Sequence, residues 1–181
     1  GGTVAVLLAR QRAAGTTLAH GDLLQVPRDR GIESRMVFHF PDSSVFDERV
    51  TFTQHGVFVM QDYHLVQKGR AFEDDLEVTL SRNGQYVVKT KSHKDGEEKQ
   101  FTGTLDLPPD TYNGMVITIA KNLVPRDTQT VHIVAFTPKP RIVGLEFAPS
   151  GRQAVVLGRH RETAVHYKLK PKLGGVVKLV A

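Results

Sequence analysis

Short runs of alternating apolar and polar residues, separated by turn signals, follow one another along almost all of this 181-residue chain. A two-residue period sends successive side chains to opposite faces of a strand, so such runs form sheets that bury one face. Alternation is clear from Ile32: Met36, Phe38 and Phe40 share one face, and Arg35, Val37 and His39 the other. After the turn signal Pro41-Asp42-Ser43-Ser44, Val50 and Phe52 face inward while Arg49, Thr51 and Thr53 face out. Residues 57–66 form a long strand with sizeable side chains on both faces.

Residues 76–81 and 85–91 are joined through Asn83-Gly84, a strong short-range hairpin signal. Asp95-Gly96 then leads into residues 99–107, which makes three strands of a meander. Strands resume over residues 128–137, 142–147, 153–157 and 162–169, with Pro149-Ser150-Gly151 read as a turn between the second and third. Upstream, residues 3–26 are strand-like, with His20-Gly21-Asp22 read as a turn; a helix over residues 4–14 competes there, because Ala, Leu, Arg and Gln favour it.

One segment changes period. Asp110 is a good helix N-cap, and Tyr112, Met115, Val116, Ile119, Ala120 and Leu123 follow on a single helical face. Gly114 and the β-branched residues weaken this helix, so it depends on packing its stripe against the sheet. The expected fold is mainly β: a single curved antiparallel sheet or incomplete β-barrel, with one helix over residues 110–123 packed on it. No linker or repeat divides residues 1–181, so one domain is expected.

Cysteine is absent, which removes disulfides, thiolate catalysis and cysteine zinc sites. None of the eight histidines stands two or four residues from another, so no short chelating pair exists and neither metal nor cofactor is expected. No serine elbow, phosphate-cradling loop or dinucleotide fingerprint is present. The whole net charge of +5 sits in residues 159–181. Such a stripe can meet phosphates or anionic lipid heads; lysines defending a solvent-facing sheet edge are the favoured reading, and without interleaved aromatics nucleic acid is not an expected partner. The apolar run at residues 4–9 is too short to span a bilayer. The Gly-Gly start without Met reads as a processed or partial terminus.

Asp62 and His64, with Lys68 nearby, form the densest polar cluster on an apolar strand. A carboxylate beside an imidazole on one face can orient a general base, and equally can be a cross-strand charge pair. No nucleophile can be named for it.

An ordered series remains: Asp47-Glu48, Gln54-His55-Gly56, Val66-Gln67-Lys68-Gly69, Leu105-Asp106-Leu107-Pro108-Pro109-Asp110, Asn113-Gly114, Thr137-Pro138-Lys139-Pro140 and Lys170-Pro171-Lys172-Leu173-Gly174-Gly175. From about Asp22 onward it resembles an uncharacterised family of bacterial exported proteins, a domain of unknown function, with Leu-Asp-Leu-Pro-Pro-Asp as the most specific block. The resemblance implies a secretory signal removed upstream, a periplasmic or cell-envelope location and a curved antiparallel sheet. It also implies further strands beyond the Gly-Gly segment, and it assigns no catalytic residues.

Three functions compete. The first is a non-enzymatic exported domain holding an apolar small molecule or lipid in the concave face of its sheet, lined by Phe38, Phe40, Phe52, Phe58, Met60, Met115 and Ile119; the same residues could fill a solid core instead. The second is an accessory subunit of an envelope complex, with a protein partner completing the C-terminal edge strand. The third, a hydrolase built on Asp62 and His64, lacks a nucleophile.

Overall fold

The computed structural model describes the backbone of residues 3–7, 20–123, 127–157 and 160–172. It is mainly β, as the alternation requires. Eight strands form one antiparallel sheet in strict chain order: β1 (Thr3–Leu7), β2 (His20–Arg28), β3 (Gly31–His39), β4 (Val45–His55), β5 (Val57–Lys68), β6 (Asp74–Ser81), β7 (Gln85–Ser92) and β8 (Glu98–Thr104). A helix, α1 (Val116–Asn122), and three further strands follow, β9 (Gln129–Phe136), β10 (Pro140–Leu157) and β11 (His160–Lys172), ordered β11-β10-β9 in a second sheet. Among the described residues the sheet does not close into a barrel.

Register decides which side chains meet. The row Val50–Tyr63–Leu80 crosses β4, β5 and β6 on the inner face, with Phe52 opposite Met60 and Val78 opposite Leu65 and Val88. These residues join Met115, Ile119, Val131, Val134, Leu145 and Phe147 in one buried cluster, so α1 and the second sheet cover the inner face of β4–β7. A bulge between Thr51 and Phe52 leaves Gln61 unopposed on β5. Its carbonyl accepts a bond from the Arg82 amide at 2.7 Å, which ties the bulge to the β6–β7 turn.

Three expectations need correction. The helix covers residues 116–122 rather than 110–123. Gly114 stands at φ +73°, outside helical space, and the Asp110 carboxylate meets His132 instead of capping a helix. The apolar stripe nevertheless faces the core as the helical spacing requires: Met115 and Ile119 are buried, with Tyr112, Val116, Ala120 and Leu123 packed against them. Second, Pro149-Ser150-Gly151 is no turn. β10 runs through it, with a register shift between Pro149 and Gly151 that absorbs the extra residue as a bulge. Third, His20-Gly21-Asp22 lies inside β2, paired with Val37, Phe38 and His39. The strand at Thr3–Leu7 pairs with residues 21–25, and the rest of the competing helix, residues 8–14, lies outside the described residues. The side chains of the expected strand at residues 162–169 also lie outside what is described.

The segment before α1 replaces the missing helical turns with a strap along the outer edge of β9. The His132 carbonyl accepts from the Tyr112 amide at 2.8 Å, and the His132 amide donates to the Asp110 carbonyl at 3.0 Å. Asn113 completes it: its side-chain amide donates to the Val134 carbonyl and accepts from the Val134 amide, both at 2.8 Å. A side chain thus stands in for a strand and satisfies an edge that would otherwise be buried unpaired.

Candidate functional site

The aromatic and methionine residues expected to line an interior separate into two groups. Phe52, Met60, Met115 and Ile119 are buried in the shared cluster, and Phe58 packs against it, its ring edge-to-face with Phe52 at 5.8 Å. They pack together in one cluster between the sheets. Phe38 and Phe40 lie elsewhere. Phe38 meets Phe46 at 5.9 Å on β3–β4, and Phe40, just past the end of β3, meets Phe72 edge-to-face at 5.4 Å.

Two grooves on the large sheet hold open polar chemistry. On the outer face a groove of about 640 Å³ is lined by Arg49, Thr51, Asp62, His64, Ser81 and Thr102, among others. It brings Asp62 and His64 together, as their spacing requires, but Lys68 is not among its lining residues; it stands opposite Val45 near the strand end. His64 Nε2 pairs with Glu77 Oε1 at 3.0 Å, and the Ser81 hydroxyl is turned to Asn83. Imidazole and hydroxyl therefore point to different partners, and no nucleophile–base bond forms between them. A second groove, of about 450 Å³, lies between Gly69, Arg70, Asp75 and the turn at Ser92 and His93. His93 Nε2 meets Asp75 there at 2.7 Å. Among the described residues no group of three or more metal-ligating side chains converges.

The inner face of β2–β4 differs from that of β4–β7. Register places Leu23, Met36 and Glu48 in one row, Gly21, Phe38 and Phe46 in the next, and Gln25, Ser34 and Val50 on the other side. Leu23 is buried and Met36 and Phe38 are half-buried, and among the described residues none of the three joins the core cluster. Glu48 is half-buried as a residue, with its carboxylate crowded by protein. Burial pushes its pKa up, and the Tyr63 hydroxyl, donating to Oε2 at 2.8 Å, only partly offsets this. Tyr63 in turn is held well above the ordinary tyrosine range by its burial and by the carboxylate beside it. Gln25 extends the polar seam, its Nε2 donating to Thr118 Oγ1 of α1 at 2.8 Å and lying 3.4 Å from Ser34 Oγ.

Sequence reasoning missed Glu48. It alternates with Asp47 and Arg49 in an acidic and basic stretch that reads as a solvated face. The available signal was its parity with Val50 and Phe52, which sends it inward.

The raised pKa fixes a sign. The folded chain binds this proton more tightly than the unfolded chain, so Glu48 opposes folding increasingly as pH rises from the ordinary glutamate range through its raised value. Glu48→Gln keeps an acceptor for Tyr63 and removes the charge. The variant is expected to melt above the parent at neutral pH. That gain should shrink below the ordinary glutamate range, where the parent carboxyl is neutral folded and unfolded alike. Thermal melts at the two pH values check it; a gain independent of pH would detach it from ionisation.

No family model, no curated protein and no solved structure matches this chain.

Proposed function

We propose that this chain is a non-enzymatic binding domain of the bacterial cell envelope that holds an apolar or lipid-like ligand against the inner face of β2–β4. The supporting observation is the row of Leu23, Met36 and Phe38. Among the described residues these side chains share the inner face with the core without joining its cluster, next to the half-buried Phe46. Covering the part of Met36, Phe38 and Phe46 that remains accessible removes apolar area from water at about 25 cal/mol per Å², which favours an apolar occupant. The Leu105 to Asp110 block, through the family it resembles, supports the envelope location.

Displacement of an environment-sensitive naphthalene dye by alkyl-chain compounds tests the reading. Dye should bind the full chain and be displaced, and Phe38→Glu should weaken displacement by roughly tenfold or more, since a charge on an apolar contact surface costs well over the equivalent free energy. Circular dichroism of the variant should stay unchanged. Failure of every alkyl compound to displace dye from the parent chain would overturn the proposal.

A second reading, an accessory subunit, draws on β8. Every residue of that strand except Phe101 is exposed, and no strand pairs with its outer side among the described residues. Amide exchange in β8 distinguishes it: exchange slowed only in an envelope extract, and not by alkyl ligands, favours a protein partner at that edge.

A further inference from the structure

The outer edge of β9 is closed by the strap through Asn113, whereas nothing among the described residues pairs with the outer edge of β8. Two backbone bonds fix which groups that edge presents. The Ser92 amide donates to the Glu97 carbonyl at one end, and the Leu105 amide donates to the Gly84 carbonyl at the other, both at 2.9 Å. The β7–β8 register runs between them without a shift. Antiparallel bonds alternate along a strand, so Lys99, Phe101 and Gly103 spend their backbone groups on β7, and Glu98, Gln100, Thr102 and Thr104 turn theirs outward. These last four residues are exposed. A row of outward N–H and C=O groups is a template for another strand.

The edge answers its own sequence. Outward groups bond only outward groups, so two copies related by a two-fold axis can set Glu98 opposite Thr104 of the second copy, and Gln100 opposite its Thr102. Each such pair exchanges two backbone bonds, and the register uses the whole strand. The side chains agree with it, since no like charges stand opposite. Phe101, half-buried in a row with Val88, meets Phe101 of the second copy and carries that apolar row across the axis. Lys99 would ordinarily discourage pairing at an edge, but it falls opposite Gly103 of the second copy. A Cβ there would stand 2.6 Å from the Tyr86 hydroxyl oxygen, so the glycine lets the Tyr86 phenol reach the edge. The incoming lysine stem has room over the glycine, and its ammonium finds a phenol oxygen to donate to. Slipping one step either way would set Lys99 against Phe101, or Phe101 against Gly103, and separate the two rings.

We propose that two copies of this chain associate through β8 in this antiparallel register, joining their large sheets into one continuous sheet across a two-fold axis. This dimer requires neither an apolar ligand nor an envelope partner, and it occupies the same edge as the accessory-subunit reading.

Sedimentation of the full chain tests it from about 1 μM to about 1 mM, because a single edge buries less than a standard interface and associates weakly. The average mass should rise from one chain toward two across that range. Thr102→Pro removes an outward N–H that β7 does not use. The thermal melt and circular dichroism of the dilute variant should therefore match the parent, while self-association weakens roughly tenfold or more. The exposed Thr104 gives a second handle that leaves the backbone alone. Thr104→Lys faces Glu98 of the second copy and should tighten the dimer roughly two- to fivefold, and Thr104→Glu should loosen it by a similar factor. A chain that stays single to the highest concentration overturns the proposal, and β8 amide exchange slowed only by envelope extract would then assign the edge to another protein. A dimer indifferent to Thr102→Pro lies on another surface and overturns it equally. A dimer that ignores the sign of the charge at residue 104 overturns the register.

Discussion

Phe52→Ala should destabilise the chain by about 3–5 kcal/mol, the range for removing a buried ring from a core that relaxes only in part. Phe52 is 1% exposed and lies where the β4 bulge, Met60 and the Phe58 ring, set edge-to-face against it, converge, so its removal leaves a void within the packed cluster. Urea or guanidinium unfolding at unchanged slope measures the loss. A change below about 1 kcal/mol would mean that the site collapses around the smaller residue, and that the space between the sheets is less filled than the packing indicates.

Asn113→Ala is the second large effect, and its origin is polar. Asn113 is 5% exposed, and both Val134 backbone groups depend on its side chain. Truncation strands one buried N–H and one buried carbonyl at about 1–3 kcal/mol each, for a total of roughly 2–6 kcal/mol. Asn113→Asp should be at least as harmful, because it keeps the acceptor, loses the donor and brings in a charge. Amide exchange at Val134 should quicken far more than at Val131, which separates the loss of this one anchor from general loosening. Equal quickening at both positions would show that the strap does not anchor β9 locally.

Much of this architecture is written in local pattern. Strict alternation around Val50, Phe52 and Leu76, with Asn83-Gly84 between strands, gives the meander directly, because neighbours in sequence are neighbours in the sheet. The helix face was legible from the spacing of Met115 and Ile119, but its start was not. Asp110 can cap a helix or meet His132, and only the position of β9 decides between them. Pro149 and Gly151 carry turn chemistry, yet a long partner strand held the chain extended through them. Glu48 was hidden for the same reason: a charged residue reads as solvated, and its inward parity matters only once the turn before β4 has set the register. The outer groove at Asp62 and His64 was legible as a shared face, whereas the commitments of His64 to Glu77 and of Ser81 to Asn83 are long-range or turn-specific geometry.

The strict chain order of the eight strands bears on synthesis. Each strand from β2 to β8 finds its partner in the one just made, so the large sheet can assemble progressively as the chain emerges, with short loops to close and little entropy to lose at each step. Its inner face cannot be covered on that schedule, because Met115, Ile119, Val131, Leu145 and Phe147 all come from residues made later. An emerging chain therefore passes through a stage at which Val50, Phe52, Val78 and Leu80 line a formed but bare apolar surface. During that interval the nascent sheet is sticky, and a holding chaperone has the most to shield before the strap and second sheet arrive.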